Sequence, residues 1–153
     1  MAKSQFVYVT FIRTTPEKLW RALMEPEFTR QFWMGTTQES EWKVGSSWRI
    51  VKPNGDTADS GEVVEIDPPR KLVLKWQNHL FPDLTAEGFS RMTYELEQKG
   101  DSVKLTVTHE SEQPNSKLIA GISNGWPPIL SSLKSLLETG ESLAQTREWP
   151  KGM

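Results

Sequence analysis

The stretch SNGWPPILSSLKSLLETG, residues 123–140, decides the fold because it combines an amphipathic helical pattern with an interrupted beginning. Serine, lysine and glutamate occupy one face of this pattern. The opposite face is apolar and consists of Trp126, Ile129, Leu130, Leu133, Leu136 and Leu137. Gly140 is well placed to end the helix. Because a residue before proline avoids helical geometry and proline fits a first turn, we expect the helix to begin at Pro127 or Pro128.

The residues just before this helix predict a change of direction. Residues 116–123, SKLIAGIS, can form a separate helical turn or two, so a bend is expected around Asn124-Gly125. A bend allows the helix to lean away from its neighbours at one end. The sequence therefore predicts a wedge of space with Trp126 at its margin.

Most of the remaining chain predicts antiparallel strands separated by turn residues. Asn54-Gly55 favours a hairpin, and Asp67-Pro68-Pro69 forces another reversal. The strands are expected at residues 6–13, 45–51, 57–66, 71–76, 90–98 and 102–110. The last two alternate cleanly, so that one face meets a core and the other meets water. Residues 77–89, between the strands at 71–76 and 90–98, are expected to form a long loop, which is either a gate to an internal site or simple slack in the chain.

Two short helices are predicted directly after the first strand. In TTPEKLWRALMEPE, residues 14–27, the apolar residues fall on one helical face. Thr15 can cap the first helix with Pro16 at its first position, and a capping box from Thr14 to Glu17 is the alternative start. Pro26 ends this helix, and PEFTRQFW, residues 26–33, supports the second. The pattern as a whole predicts an α+β fold in which a sheet of about six to seven antiparallel strands is covered by the C-terminal helix.

Length and composition limit the possible functions. The chain has 153 residues, a length that predicts a single domain. The core of this domain is expected at residues 6–140. The charged tail at 141–153 is expected to be mobile unless Trp149 docks. It has no cysteine, which excludes disulfides and thiolate metal sites. Its N-terminal residues show neither a signal peptide nor a membrane span, so a cytoplasmic location is expected. Its 18 basic and 20 acidic side chains are scattered, which argues against nucleic acid as a partner.

The order of these segments resembles the activator-of-heat-shock-protein-90-ATPase-homologue-like family, within the SRPBCC or START-like superfamily. The most specific shared pieces are Pro16 with Trp20, Pro26-Glu27, Asp67-Pro68-Pro69-Arg70 before Trp76, and Gly125-Trp126 before Leu130. The resemblance covers roughly residues 6–140. It implies a helix-grip fold, in which a curved antiparallel sheet wraps around a long C-terminal helix, two small helices close one end, and a cavity lies between them.

A search for catalytic and cofactor motifs finds little. The chain has no GxGxxG, no phosphate loop, no HExxH and no GxSxG, so no cofactor is predicted. Its histidines, His79 and His109, lack carboxylates at ligand spacing, so no metal site is predicted. His109 is a titratable residue on an apolar strand face. It is either a general base or donor inside a cavity, or a structural residue bonded to backbone or water at the strand end, and the second interpretation is favoured because spacing identifies no serine or carboxylate partner.

Three functions remain open. The first is binding of a small hydrophobic or aromatic molecule in the cavity that the resemblance implies. The expected cavity wall is Trp20, Phe32, Trp48, Trp76, Met92, Tyr94, His109, Trp126 and Leu130. The second is an enzyme of cyclase or hydrolase type that uses the same cavity, for which no catalytic residue is assigned. The third is a protein-interaction role on a heat-shock chaperone ATPase; the choice between monomer and homodimer also stays open.

Overall fold

The structure, a computed structural model, describes residues 3–153 and has an α+β architecture. Seven antiparallel strands form one sheet in the order β1-β7-β6-β5-β4-β3-β2. The strands are β1 (Ser4–Ile12), β2 (Thr37–Ser40), β3 (Ser47–Val51), β4 (Thr57–Asp67), β5 (Lys71–Asn78), β6 (Ser90–Lys99) and β7 (Ser102–Ser111). The helices are α1 (Pro16–Met24), α2 (Pro26–Phe32), α3 (Pro82–Ala86) and α4 (Lys117–Thr139). The predicted fold is confirmed: two short helices follow the first strand and a long helix follows the last.

The two short helices begin as their sequence predicts. Thr15 caps α1, and its Oγ1 accepts a hydrogen bond from Lys18 N at 3.2 Å. Pro16 and Pro26 occupy the first turns of α1 and α2, where the missing amide hydrogen costs nothing. The turn between the helices is short because α1 ends at Met24 and α2 begins at Pro26. Trp33 follows directly after α2.

A close approach of two strands shapes the middle of the sheet. Gly61 on β4 lies opposite Trp48 on β3 and Trp76 on β5. A Cβ atom at Gly61 would lie 1.8 Å from the carbonyl oxygen of Lys75, so only glycine fits this position. The indoles of Trp48 and Trp76, the residues on either side of Gly61, lie with their ring centroids 4.6 Å apart.

The C-terminal helix is longer than the sequence predicts. α4 runs unbroken from Lys117 to Thr139, through Asn124-Gly125 and both prolines, so the predicted start at Pro127 or Pro128 is wrong. Ser116 caps the helix, with its Oγ accepting from Ile119 N at 3.2 Å. Leu118 and Ile119 are buried and extend the packed face to the N-terminal side of the prolines. This packing stabilises helical geometry where the local preference of residues before proline opposes it.

The face of α4 that packs on the sheet forms the core. Leu130 and Leu133 are buried, and so are Val103, Leu105 and Val107 of β7. At the C-terminal end, Gly140 adopts the left-handed conformation that ends the helix, as predicted. Among the described residues, no helix is long and apolar enough to cross a membrane.

Two segments expected to be irregular carry structure. The predicted loop at 77–89 contains α3, and β5 extends into it as far as Asn78. In the tail, the buried Thr146 donates from Oγ1 to Ser132 Oγ at 2.6 Å, and its carbonyl oxygen accepts from Met34 N at 2.6 Å. The expected mobile tail is thus held at Thr146, because the buried hydroxyl of Ser132 on α4 requires a hydrogen-bonding partner.

Candidate functional site

A cavity of about 210 Å³ lies between the N-terminal half of α4, the segment containing α3, and the ends of β4 and β5. Its wall is lined by Trp33, Met34, Asp59, Trp76, Asn78, Leu80, Phe81, Leu84, Leu118, Gly121, Ile122, Gly125, Trp126, Ile129 and Met153. Most of these side chains are apolar. Trp126 lies in this wall.

The α3 segment is tied to the sheet on one side of the cavity and to α4 on the other. Thr85 on α3 donates from Oγ1 to the carbonyl oxygen of Asn78 at 2.8 Å. Directly after α3, the Glu87 carboxylate accepts from Ser116 Oγ at 2.5 Å and from Lys117 N at 2.8 Å. A carboxylate at this position also complements the positive end of the α4 dipole. Glu87 therefore fixes the α3 segment against the start of α4.

Three indoles form the aromatic part of the cavity wall. Trp33 follows α2, Trp76 is on β5, and Trp126 is on α4. The rings of Trp33 and Trp126 meet edge to face with centroids 5.2 Å apart, and those of Trp76 and Trp126 do so at 5.8 Å. Trp33 and Trp76 stack at 6.3 Å. These separations are typical of favourable aromatic pairs, so the three rings form one contiguous surface.

Asp59 provides the ionisable side chain of this site. It is 8% exposed, and its Oδ1 accepts from Trp76 Nε1 at 2.9 Å and from Asn78 Nδ2 at 3.1 Å. Its other oxygen, Oδ2, receives no hydrogen bond from the described part of the chain. Burial raises the pKa of Asp59 to about 7, and the two donated hydrogen bonds only partly oppose that rise. A carboxyl that titrates near neutrality therefore faces an apolar cavity.

His109 lies behind the cavity wall in a closed polar network. Trp126 Nε1 donates to His109 Nδ1 at 3.2 Å, and His109 Nε2 is 2.7 Å from Ser90 Oγ. Ser90 Oγ in turn donates to the carbonyl oxygen of Trp76 at 3.0 Å. With Nδ1 accepting, the neutral ring carries its proton on Nε2 and donates to Ser90. Burial lowers the pKa of His109 to about 3, so the ring stays neutral.

This network differs from both interpretations of His109 that the sequence offers. The residue is fully buried within β7, bonded to side chains of β6 and α4 rather than to backbone or water at a strand end. Ser90 is the partner that linear spacing does not identify, because it lies on the neighbouring strand. Since both ring nitrogens are occupied, His109 orients Trp126 and has no free lone pair for proton abstraction.

The residues expected to form the cavity wall occupy three different places. Trp76 and Trp126 line the cavity. The structure buries another group in the core outside the lining: Phe32, Trp48, Met92, Tyr94, His109 and Leu130. Tyr94 and His109 support the wall from behind, with ring centroids 6.0 Å and 6.2 Å from that of Trp126. Trp20 is separated from the others and borders a depression beside Trp42.

Asp59, Asn78 and Trp33 line the cavity without having been predicted to do so. Asp59, Gly61 and Val63 are alternate residues of β4 and so face the same side of the sheet, and Val63 is fully buried. This alternation would have predicted Asp59 on the inner face of the sheet. A charged residue in a strand, however, generally indicates a solvent-facing position. The contribution of Trp33 depends on how α2 meets α4, for which the sequence carries no local signal.

The sheet, the long final helix and the cavity between them define a helix-grip protein. The model of one protein family, described as Activator of Hsp90 ATPase homolog 1-like protein, matches residues 13–138. The chain therefore belongs to this family, as its sequence motifs predict.

Solved structures share this fold. A protein from Mesorhizobium loti is similar with a TM-score of 0.74 and 26% identity, over 88% of this chain and 97% of that one. An HSP90 activator from Plasmodium falciparum has a TM-score of 0.70 and 24% identity, over 87% and 95% of the respective chains. The Aha1 dimer from Colwellia psychrerythraea has a TM-score of 0.72 and 19% identity, over 91% and 99%. The last two show likeness of fold alone. Comparison with curated proteins gave no match.

Proposed function

We propose that this protein binds a small apolar or aromatic molecule in the cavity beside Trp126. The observation that carries the proposal is an aromatic and aliphatic wall with a single buried carboxyl group, Asp59, which is the composition of small-molecule sites. The volume of about 210 Å³ is below the ~300 Å³ at which drug-sized sites begin. The ligand is therefore expected to be about the size of one or two fused rings.

Binding is tested by titrating the protein with neutral aromatic probes, beginning with benzyl alcohol and indole. Quenching or shift of the tryptophan emission is expected, because three indoles lie in the wall. Gly121 lines the cavity, and a Cβ atom there meets nothing within 4 Å, so Gly121→Leu introduces a side chain at the cavity without backbone strain. The added side chain takes up part of the cavity and displaces apolar contacts of the ligand, so binding is expected to weaken by about 10-fold or more.

Ala120→Leu is the matched control, because Ala120 is exposed on the same helix and does not line the cavity. It is expected to bind like the unmodified protein. If neither probe binds, or if both leucine variants behave alike, the cavity is not a ligand site.

An enzymatic role, of cyclase or hydrolase type, is a second candidate because the cavity contains an acid that titrates near neutrality. A general acid or base works best with a pKa near the working pH. Asp59 fits this requirement, whereas His109 has both nitrogens engaged. Any turnover detected is expected to be abolished by Asp59→Asn and to follow the ionisation of Asp59. Turnover that survives this substitution removes the candidate.

A role on a heat-shock chaperone is a third candidate, which family membership favours. The edge strand β1 also has an exposed apolar face, on which Val7, Val9 and Phe11 project outward. Adjacent exposed apolar side chains often mark protein contacts. The measurement is the ATPase rate of the chaperone with the unmodified protein and with Val9→Ser. Equal rates with and without the protein exclude this function.

A further inference from the structure

We infer that the cavity prefers ligands with a basic nitrogen, namely small aromatic amines in their protonated form, which donate to Asp59 Oδ2 while their rings pack on the tryptophans. This inference rests on the proposed binding function and specifies its ligand class. It depends on the geometry of Asp59 within the wall.

The first argument is the unused oxygen of Asp59. Oδ1 already accepts two hydrogen bonds, from Trp76 and Asn78, and these donors also fix the plane of the carboxyl group. Oδ2 receives none from residues 3–153, although the side chain is more than nine-tenths buried and lines the cavity. Oδ2 is thus an acceptor without a protein donor in a largely buried side chain, so a ligand that brings an N–H group to it gains a charge-assisted hydrogen bond.

The second argument is the lack of a cation within the site. Of the described residues that line the cavity, Asp59 alone has an ionisable side chain, and no lysine, arginine or histidine side chain belongs to the wall. The imidazole of His109, behind Trp126, stays neutral. Because the wall supplies no positive side chain, a ligand ammonium group is the partner that would balance an ionised Asp59 within the site.

The third argument is the aromatic wall. Trp33, Trp76 and Trp126 surround the same space, and Trp76 also donates to Asp59. Indole faces attract cations within ~6 Å of the ring centroid, whereas they do not favour anions. A carboxylate flanked by indoles thus selects an ammonium group over a hydroxyl group and rejects a carboxylate, which the charge of Asp59 repels.

Three probes of similar shape test the inference: benzylamine, benzyl alcohol and benzoate. They are titrated near pH 8, where Asp59 is ionised and the amine is protonated. Calorimetry gives the affinities, and tryptophan emission reports on the wall. Benzylamine is expected to bind about 10-fold or more tightly than benzyl alcohol, the range of one charge-assisted hydrogen bond, and benzoate is expected to bind most weakly.

Asp59→Asn retains the shape of the side chain and removes its charge. The variant is expected to lose the preference, so that benzylamine and benzyl alcohol bind to it with equal affinity. If this variant does not fold, the comparison of the three probes on the unmodified protein tests the amine preference by itself.

The possible outcomes separate the two proposals. If benzyl alcohol binds but benzylamine binds no more tightly, or if Asp59→Asn keeps the amine preference, the amine inference is wrong and the binding function stands. If none of the three probes binds, both are wrong. A preference for benzylamine that disappears in Asp59→Asn supports the inference.

Discussion

Asp59→Asn is expected to stabilise the folded protein at neutral and higher pH. The carboxyl group of Asp59 is buried, and its pKa rises from 3.8 to about 7 on folding. At about 1.4 kcal/mol per pH unit, that rise costs the folded state up to ~4 kcal/mol once the solution pH exceeds 7. The asparagine variant does not bear this cost, although its amide hydrogens, facing the cavity, lose about 1–2 kcal/mol of hydration. The net gain is therefore expected to be about 2 kcal/mol.

The sign of the pH dependence follows from the two protonation states. Below about pH 4 the carboxyl group is protonated in both the folded and the unfolded chain, so no cost arises. Between about pH 4 and pH 7 the unfolded chain ionises while the folded chain does not, which progressively favours unfolding of the unmodified protein. Above about pH 7 the difference is constant. The advantage of Asp59→Asn should thus grow across this window and then level off.

The assay is urea unfolding, followed by circular dichroism and tryptophan emission, at several values between about pH 4 and pH 8. All other titratable groups are common to both proteins, so the difference in free energy of unfolding isolates Asp59. Asp101→Asn, which removes an exposed carboxylate from the turn between β6 and β7, is the control and should change stability by less than about 0.5 kcal/mol. Parallel stability curves for Asp59→Asn and the unmodified protein, or a less stable variant near pH 8, would refute the reasoning.

Two further predictions concern the packing behind the cavity. Trp126→Phe removes the donor to His109 Nδ1 and leaves a buried acceptor unsatisfied. The free energy of unfolding in urea is therefore expected to fall by about 1–3 kcal/mol. A smaller loss than in Tyr94→Phe would contradict the network. Gly61→Ala places a Cβ atom 1.8 Å from the Lys75 carbonyl oxygen and is expected to cost about 3 kcal/mol or more, measured as a lower midpoint of thermal unfolding. An alanine variant with an unchanged midpoint would show that β4 and β5 separate easily.

The sequence predicts the fold well where a single element determines its own pattern. The alternation in β6 and β7, the caps of α1 and the apolar face of α4 are local, and all three appear in the structure. The start of α4 is predicted wrongly because Leu118 and Ile119 pack in the folded chain, and this burial stabilises helical geometry on the N-terminal side of Pro127. Local preference describes an isolated segment, and tertiary packing can override it.

The candidate site is harder to predict because its members come from separate elements. The sequence predicts Trp76 and Trp126 as wall residues because large aromatic side chains are typical of apolar small-molecule sites. It does not identify Asp59, because the position of that carboxyl group depends on donors from β5 and on the register between β4 and β5. The partnership of His109 with Ser90 likewise exists only across neighbouring strands.

The double proline in α4 has a mechanical consequence. Pro127 and Pro128 have no amide hydrogen, so the carbonyl groups of Ser123 and Asn124 lose the donors that an ordinary helix would supply. This weakening lies between the turns that border the cavity and the turns from Leu130 onward that are fixed in the core. Across this point α4 is therefore held straight through by packing on both sides, from Leu118 and Ile119 before the prolines and from Leu130 and Leu133 after them, rather than by a complete set of backbone hydrogen bonds.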